Sequence, residues 1–410
     1  MTIDLVSNIL SIIVKITSPI NHLMNLELTK KELLSPLKTV ASVIEDRRAG
    51  MTVLGNILLQ ADGKQLNLTG GDGDIEVTCN LPIETSATFA ITVPKKLLDI
   101  TRSVNDGGDL HISDKDDKLI IKSGKSRFTL ATLPADNYPA SPVLEVKKQL
   151  TLPQSELKSL IRQCAFCIAS NDIRYYLNGA LLEINDGEAY MVATDGHRMA
   201  VTPLELLVSP VATAVPTKKT KKSAATEATD SDNAEIIIPR KAIYELLKLL
   251  GDDGDVQISY TDSHVQFILG DSLRLTSKLI DGQFPDWRSV IPANATNIAR
   301  VSKADLYSAI GRVTLLSNEK YKGVRLTLSK NLLTVNAKNP NQEEATEELE
   351  VIYEGEPLEI GFNGAYLLES IAAVNTADVQ LAFTDSNSSV VITQNGDESV
   401  GKWIIMPMRL

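Results

Sequence analysis

The chain repeats one succession of segments three times, and this repetition constrains its fold more than any other feature. The segments LELTKKELLSPLKTV (26–40), LTLPQSELKSLIRQC (150–164) and ARVSKADLYSAIGRV (299–313) each join a short strand to an amphipathic helix. A Thr, Ser or Pro stands near each helix start, where these residues are favoured. Self-similarity at long spacing indicates repeated structural units, so three copies of one domain are predicted.

The remainder of each copy predicts the same elements in the same order. Two alternating strands surround a turn, a second helix follows a strand end, and a hairpin with a closing strand completes the copy. The second helices lie in VPKKLLDITRSV, IPRKAIYELLKLL and IGFNGAYLLESIAAV. Each copy is therefore predicted to be an α+β domain with two helices packed on antiparallel sheets of about seven or eight strands.

Two segments fall outside the repetition. The predicted domains are 24–145, 146–296 and 297–410. Residues 1–23 form an N-terminal extension whose apolar stretch is interrupted by Lys15 and follows no basic segment, so it predicts neither a signal peptide nor a membrane span. Residues 208–235 are rich in Ala, Thr, Ser and Lys and almost lack large apolar residues, which predicts a disordered loop inserted in the second domain.

The distribution of charge matters more than its sum. A net charge of −11 over 410 residues excludes a uniformly basic nucleic-acid binder but leaves room for a local basic surface. Basic residues such as Lys30, Lys158 and Arg162 concentrate on the predicted helices, whereas acidic residues favour hairpins and loops. Helices that face a polyanion would contact its phosphates without reading its sequence.

Residues that could carry chemistry are few. The three cysteines fit a reducing compartment, and Cys164-Ala-Phe-Cys167 lacks the second pair or nearby histidine of a zinc site. The sequence GGDGD (70–74) lacks the further ligands of a calcium loop. We therefore predict no metal, no cofactor and no catalytic residue.

One turn, in MVATDGHRMAV (191–201), requires a separate decision. Asp195 and His197 could form the acid–base pair of a hydrolase, and this alternative is kept. The corresponding positions of the other copies read GDGD and KNPN, which are also turn-forming. The bend is therefore predicted to be structural in all copies, with Asp195 bonding to the backbone as Asx residues do. The side chains of His197, Arg198 and Met199 belong to the middle copy alone.

Several motifs in this order resemble those of one family. RYYLNGALLE (174–183), ATDGHRMAV (193–201), FPDW (284–287), LLSNEKYKGVRL (315–326) and MPMRL (406–410) are similar to motifs of the bacterial DNA sliding clamps, the β subunits of the DNA polymerase III holoenzyme. The resemblance runs from about residue 24 to 410. It implies a head-to-tail homodimer in which six domains form a ring around duplex DNA and tether the polymerase, with no chemistry of its own.

The resemblance also implies a hydrophobic pocket between the second and third domains that accepts short linear peptides with leucine or phenylalanine anchors. Flexible thioethers suit such a pocket. The family usually has an arginine where this chain has Ser289, so one rim contact is missing. The predicted pocket residues are Leu177, Thr194, Gly196, His197, Arg198, Met199, Pro285, Val290, Tyr353, Ser389, Ile404, Met406, Pro407, Met408, Arg409 and Leu410.

Two further surfaces are predicted. DNA contacts are assigned to Lys95 and Arg102 on basic helices, and to Arg174, Tyr175 and Tyr176 in a loop with an exposed aromatic residue that could stack on bases. The resemblance implies Arg48 and Asn171 as further DNA contacts. The loop around Arg48 lacks the prolines common in the family. A dimer contact is assigned from opposite charges around an apolar centre. Its residues are Lys96, Lys125 and Arg127 in the first domain and Leu315, Leu316, Glu343, Glu344 and Glu347 in the third.

The implied partners derive from the same resemblance. They are sequence-independent duplex DNA, the polymerase catalytic subunit, the clamp-loader complex, and other polymerases and repair proteins that use short linear motifs. The expected location is the cytoplasm.

Overall fold

The computed structural model describes residues 24–45, 52–83, 88–139, 144, 148–185, 188–204 and 234–409. The extension 1–23, Arg48, Leu410 and residues 208–233 of the predicted insert lie outside the described residues. Two compact units divide the chain. The first contains Met1–Val143 and Asp271–Leu275, and the second contains Leu144–Gly270 and Thr276–Leu410.

The first unit is built from two helices and two sheets in its described part. Its strands are β1 (Asn25–Thr29), β2 (Asn56–Asp62), β3 (Gln65–Gly71), β4 (Ile75–Pro82), β5 (Thr88–Pro94), β6 (Asp109–Lys115), β7 (Lys118–Ser123), β8 (Ser126–Ala131) and β9 (Leu133–Pro134). Its helices are α1 (Lys30–Ala41) and α2 (Lys96–Ser103). The strands lie in the orders β1-β6-β7-β8 and β4-β3-β2-β5-β9.

Local sequence explains where α1 begins. The Thr29 hydroxyl accepts a hydrogen bond from the Glu32 backbone N–H at 3.2 Å, and the Glu32 carboxylate accepts one from the Thr29 N–H at 2.7 Å. This reciprocal capping box satisfies two backbone donors that a helix start leaves free. Leu33, Leu37 and Val40, at helical spacing, are buried against the sheets.

The second unit contains the other two copies. Its strands are β10 (Lys148–Pro153), β11 (Gly179–Asn185), β12 (Glu188–Thr194), β13 (Arg198–Leu204), β14 (Ala234–Pro239), β15 (Asp255–Tyr260), β16 (His264–Leu269), β18 (Asn297–Ser302), β19 (Gly323–Ser329), β20 (Leu332–Lys338), β21 (Glu344–Glu350), β22 (Leu358–Asn363), β23 (Asp378–Phe383), β24 (Val390–Gln394) and β25 (Asp397–Ile405). Its helices are α3 (Gln154–Cys164), α4 (Arg240–Leu249), α5 (Lys303–Thr314) and α6 (Gly364–Ala373). Strand β17 (Leu273–Lys278) holds residues of both units.

The predicted threefold repetition is confirmed by strand pairing. The opening strand of each copy pairs antiparallel with the strand after its second helix, as β1–β6, β10–β15 and β18–β23. The inner pairs β2–β5, β11–β14 and β19–β22 repeat in the same way. Each copy therefore has two helices on antiparallel sheets. The predicted insert 208–235 lies between β13 and β14, but its last two residues, Ala234 and Glu235, are the first of β14.

An eight-stranded sheet joins the second and third copies. Its order is β14-β11-β12-β13-β25-β24-β23-β18. The join is the antiparallel pair β13–β25, which sets Arg198 opposite Ile405 and Met199 opposite Ile404. This register places the C-terminal tail directly beside the turn that precedes β13. In the described ranges no helix is long and apolar enough to cross a membrane.

Candidate functional site

The turn before β13 is held by the side chain of Asp195, as predicted. Its Oδ1 accepts hydrogen bonds from the backbone N–H groups of His197 and Arg198 at 2.9 and 3.0 Å. Gly196 has a φ of +87°, a conformation that glycine adopts without strain. The bend is thus an Asx turn that aims the next side chains.

The Arg198 side chain is turned into the protein, with only 10% of its surface exposed. Its Nε donates to Asp195 Oδ2 at 3.0 Å and its Nη2 to the Phe166 carbonyl at 2.6 Å, and Nη1 forms an ion pair with Glu369 on α6. The guanidinium carbon lies 4.3 Å from the ring centre of Tyr366. Burial by itself would lower the pKa of Arg198, but the hydrogen bond to Glu369 and the nearby charges raise it above its ordinary value. Arg198 therefore stays charged and links the second copy to the third.

One face of the eight-stranded sheet carries an apolar cluster. Because side chains alternate along a strand, residues in register share this face. The buried members are Leu181, Val192, Met199, Val201, Ile237, Phe284, Trp287, Ala382, Val391 and Ile404, and Tyr176 and Val290 pack against them. The cluster includes three of the predicted pocket residues.

The C-terminal tail directly follows β25, which contributes Ile404 to this cluster. The Met406 N–H donates to the His197 carbonyl at 2.8 Å, and the Met408 N–H donates to the Gly361 carbonyl at 2.8 Å. Pro407, which has no N–H and a fixed φ, lies between these two anchors. Met406 is 37% exposed, so its thioether remains accessible beside the turn.

The predicted pocket residues differ in accessibility. Five of them are buried, namely Leu177, Met199, Tyr353, Ser389 and Ile404, and all of these but Ser389 are at most 2% exposed. His197, Pro285, Met406 and Arg409 are exposed, and Thr194, Val290, Pro407 and Met408 are half-buried. The Tyr353 hydroxyl is bonded to the Glu356 carbonyl. The accessible part of the site is therefore the turn, the tail and the segment after β17.

The predicted DNA loop is tied to the same turn. The Arg174 guanidinium pairs with Asp172 through two bonds of 3.0 and 2.8 Å and also donates to the Asp195 carbonyl at 3.4 Å. The hydrogen bonds from Arg174 hold the pKa of Asp172 at about 2, below its ordinary value. Asn171 is exposed and has a φ of +57°.

The two tyrosines of this loop point in different directions. Tyr175 is 58% exposed, whereas Tyr176 packs on the apolar cluster. One tyrosine is exposed and the other is not, as expected, but the cause is not the alternation of side chains along a strand. Tyr175–Asn178 forms a 3-10 helix, so strand alternation does not apply.

The other predicted contact residues lie on surfaces of each unit. Arg102 is half exposed and pairs with Asp99 at 3.4 Å, and the Lys95 ammonium donates to the Ile44 carbonyl. Lys96, Lys125 and Arg127 are exposed, and the last of them lies on β8, at one end of its sheet. In the second unit, β21 carries Glu344 and Glu347 and is the edge strand of the sheet β21-β20-β19-β22. Leu315 is 81% exposed, whereas Leu316 is half-buried. Glu347 already pairs with Arg312 through bonds of 2.7 and 2.9 Å, while Glu343 and Glu344 accept hydrogen bonds from Asn339 and Asn336.

The acid–base alternative has no supporting geometry. Asp195 bonds to two backbone N–H groups and to Arg198, and none of these bonds reaches the His197 ring, which stacks on Tyr366 at 6.5 Å. Cys164 and Cys167 are buried and free, and burial raises the pKa of both thiols. Among the described residues no cluster of three or more His, Cys, Asp or Glu could hold a metal.

Sequence reasoning missed the groups that organise this site. Glu369 and Phe166 hold Arg198, and Glu183 holds Trp287 and Arg288. The one signal in the sequence was Glu183 within the apolar strand GALLEIN, because a charged residue on a buried strand indicates a partner of opposite charge or a hydrogen-bond donor. Its partners lie more than 100 residues away.

Comparison with known proteins agrees with the fold. Domain models of the DNA polymerase III beta subunit match residues 24–142 (N-terminal domain), 151–224 with 220–286 (central domain) and 288–409 (C-terminal domain). The beta sliding clamp of Pseudomonas aeruginosa is 40% identical over 390 residues, which cover 94% of this chain and all of that protein.

Solved structures show the same likeness. A crystal structure of the DNA polymerase sliding clamp from Pseudomonas aeruginosa with ligand superimposes with a TM-score of 0.86 at 38% identity, covering 95% of this chain and all of that one. A second structure of that organism's sliding clamp, bound to griselimycin, has a TM-score of 0.85 at 39% identity and covers 94% of this chain and all of that one.

Proposed function

This chain belongs to the DNA polymerase III β sliding-clamp family, whose members are noncatalytic processivity factors of DNA replication. We propose that it docks partner proteins through short peptides, at the site formed by the turn 194–198 and the C-terminal tail. The observation that carries this proposal is the extended tail. Its two backbone anchors hold Met406, which is 37% exposed, two residues after Ile404 of the apolar cluster. An accessible thioether near buried aliphatic groups accommodates leucine and phenylalanine side chains of different shapes.

DNA contact is proposed for the loop around Tyr175. Its exposed ring offers a stacking surface for a base, and the pairing of Arg174 with Asp172 fixes the loop that carries it. Arg102, Asn171 and Lys95 complete the proposed contact, together with Arg48 outside the described residues. Contacts of this kind bind backbone and bases without sequence preference.

The assembly proposed is a head-to-tail homodimer. The exposed strand β8 of one chain, with Arg127 and the preceding Lys125, would meet the acidic edge strand β21 of the other, and Leu315 would supply apolar area. Unpaired strand edges of opposite charge suit such a contact. Three domains from each chain would then give a ring of six around duplex DNA.

The partners proposed are the polymerase catalytic subunit, the clamp-loader complex, and other polymerases and repair proteins that carry the same type of motif. Their competition for one site would order their access to DNA. A cytoplasmic location is proposed with them, because replication of bacterial DNA takes place there.

A peptide titration tests the docking site. We expect Met406→Ala to weaken binding of a fluorescent peptide with glutamine, leucine and phenylalanine anchors by about tenfold, as removal of a central contact does. Fluorescence anisotropy measures the affinity. Retention of the same variant on nicked circular DNA, and its release when the circle is linearised, should match the unaltered protein.

Val400→Ala provides the matched control. Val400 is also an apolar residue near the C-terminal end, with 39% of its surface exposed, and it makes no part of the proposed site. It should bind the peptide as the unaltered chain does. Equal affinity of the Met406→Ala and Val400→Ala variants would place peptide docking elsewhere.

A further inference from the structure

A buried carboxylate fixes the segment that closes one side of the docking site. Glu183 lies on β11 and is 5% exposed. Its Oε2 accepts a hydrogen bond from the Trp287 indole N–H at 2.7 Å, and Arg288 reaches it with contacts of 2.9 and 3.1 Å. Trp287 and Arg288 belong to the segment after β17 that also carries Pro285 and Val290.

The position of Glu183 in the sheet links it to the docking site. Leu181 and Glu183 point to the same face of β11, since they are two residues apart. Leu181 lies in the apolar cluster on which Val290 packs. The carboxylate is therefore held beside the floor of the site, where an unpaired charge would be costly.

A cation compensates the buried carboxylate. Glu235, which is exposed, stands directly opposite Glu183 on β14. Arg288 supplies the compensating charge, and its guanidinium carbon lies 4.0 Å from the Trp287 ring centre. Tyr190, opposite Glu183 on β12, packs against Trp287 with ring centres 5.3 Å apart and ring planes tilted by 53°. Charge, hydrogen bond and ring contacts thus converge on one segment.

Local bonds carry this anchoring to the docking residues. The Val290 N–H donates to the Trp287 carbonyl at 3.2 Å, and the Ser289 hydroxyl donates to the Asp286 carbonyl at 2.7 Å. These bonds close a 3-10 turn over Arg288–Val290. A shift of Trp287 would therefore move Pro285 and Val290 with it.

We propose that Glu183 is a positioning residue for peptide docking, which acts through Trp287 and Arg288 to hold Pro285 and Val290 at the edge of the apolar cluster. The proposal rests on the docking function of the turn and the tail. Glu183 itself would not touch the peptide. Its ion pair with Arg288 would instead fix the position of Pro285 and Val290, which would.

Glu183→Gln tests the proposal, because the amide can still accept the Trp287 hydrogen bond but no longer pairs with Arg288. We expect the peptide affinity to fall about three- to tenfold, the range in which residues remote from a ligand alter binding. Arg288→Gln should give a similar loss, and the double variant should be no weaker than either single one, since both changes remove one interaction. Fluorescence anisotropy with the glutamine, leucine and phenylalanine peptide measures all three.

Tryptophan quenching gives a second readout that general destabilisation does not reproduce. The chain has two tryptophans, Trp287 and Trp403, so Trp403→Phe leaves Trp287 as the only reporter. In that background Glu183→Gln should increase acrylamide quenching of Trp287 well below the thermal transition. The matched control is Glu359→Gln, which removes the carboxylate of another Arg–Glu pair, Arg325–Glu359, at 2.8 Å. It should change neither readout.

The outcomes separate this proposal from the docking function. Peptide binding by Glu183→Gln within twofold of the unaltered chain, with unchanged quenching, would overturn the role of Glu183 while leaving the docking site in place. No peptide binding by the unaltered chain, or full binding by Met406→Ala, would instead overturn the docking function. Equal losses in Glu183→Gln and Glu359→Gln would show a nonspecific effect of lost charge and also refute the positioning role.

Discussion

The equivalent turns of the second and third copies are closed by the same kind of side-chain bond from different residues, but the third turn is one residue longer. Asp195 Oδ1 accepts bonds from the N–H groups of His197 and Arg198, and Asn339 Oδ1 accepts bonds from those of Asn341 and Glu343 at 3.0 and 3.1 Å. The first copy has the spacing of the second, with Asp72 as the acceptor. The bend is thus part of the repeated scaffold, while function depends on the side chains that each copy places after it.

The neighbours of each turn explain its residue type. Asp195 faces the cation of Arg198, whereas the Asn339 amide donates to the Glu343 carboxylate. A negatively charged aspartate suits the turn beside the Arg198 cation, and an amide that can donate a hydrogen bond suits the turn beside the Glu343 carboxylate. The second copy therefore combines a side-chain-capped turn with a buried cation.

Removal of that cation should have the largest effect. Arg198→Ala leaves Asp195 and Glu369 without their shared cation, and we expect the free energy of unfolding to fall by about 2 to 4 kcal/mol. Peptide affinity should fall as well, because the turn also holds the tail through the His197 carbonyl. Urea denaturation and peptide anisotropy measure the two effects.

Arg325→Ala is the control for this prediction. Arg325 pairs with Glu359 at 2.8 Å, but both side chains are about half exposed, at 42% and 58%. Exposed pairs contribute at most about 1 kcal/mol. Similar losses in the two variants would mean that Arg198 acts as an ordinary surface charge, contrary to its burial.

Exchange of the two turn residues should have intermediate effects. Asp195→Asn keeps the backbone acceptor but weakens the pairing with Arg198, so we expect a loss of about 1 to 2 kcal/mol. Asn339→Asp places a second carboxylate beside Glu343 and should cost about 0.5 kcal/mol at this exposed site. Urea denaturation measures both changes.

Hydrogen exchange separates the bend from the charge in these variants. The His197 and Arg198 amide protons should remain protected in Asp195→Asn, because its side-chain oxygen still accepts their bonds, and should lose protection in Asp195→Ala. Loss of protection in both would show that the bend itself depends on the ion pair.

The sequence predicted the repeated parts of this molecule better than the contacts between them. The spacing of hydrophobic residues was sufficient to predict the domain type. Comparison of the equivalent turns in the three copies was sufficient to predict that Asp195 holds its turn. The burial of Arg198 was not predictable, because its partner Glu369 lies 171 residues away and nothing in the turn indicates it. The same holds for Glu183, whose partners are brought to it by the sheet register rather than by local sequence.

The smallest effect on binding concerns the glycine of the middle turn. A Cβ at Gly196 would lie 2.9 Å from Nη2 of Arg174, at a φ of +87°. Gly196→Ala should therefore cost about 1 kcal/mol in backbone strain and displace the guanidinium that pairs with Asp172. We expect the affinity for a single-stranded oligonucleotide to fall about two- to threefold, since stacking on Tyr175 depends on this loop. Anisotropy of a labelled oligonucleotide measures it.

Titration of Asp172 ties this last effect to its cause. Its pKa is lowered to about 2, so the Arg174 pair is fully present above the ordinary carboxyl pKa of about 3.9 and is lost as the pH falls through about 2. In Gly196→Ala the pKa of Asp172, measured by NMR, should rise towards the ordinary value. Gly107→Ala has a similar strain, at a φ of +78°, but its Cβ would meet no atom within 4 Å. It should change neither the pKa of Asp172 nor the oligonucleotide affinity, and a fall in affinity equal to that of Gly196→Ala would attribute the effect to strain alone.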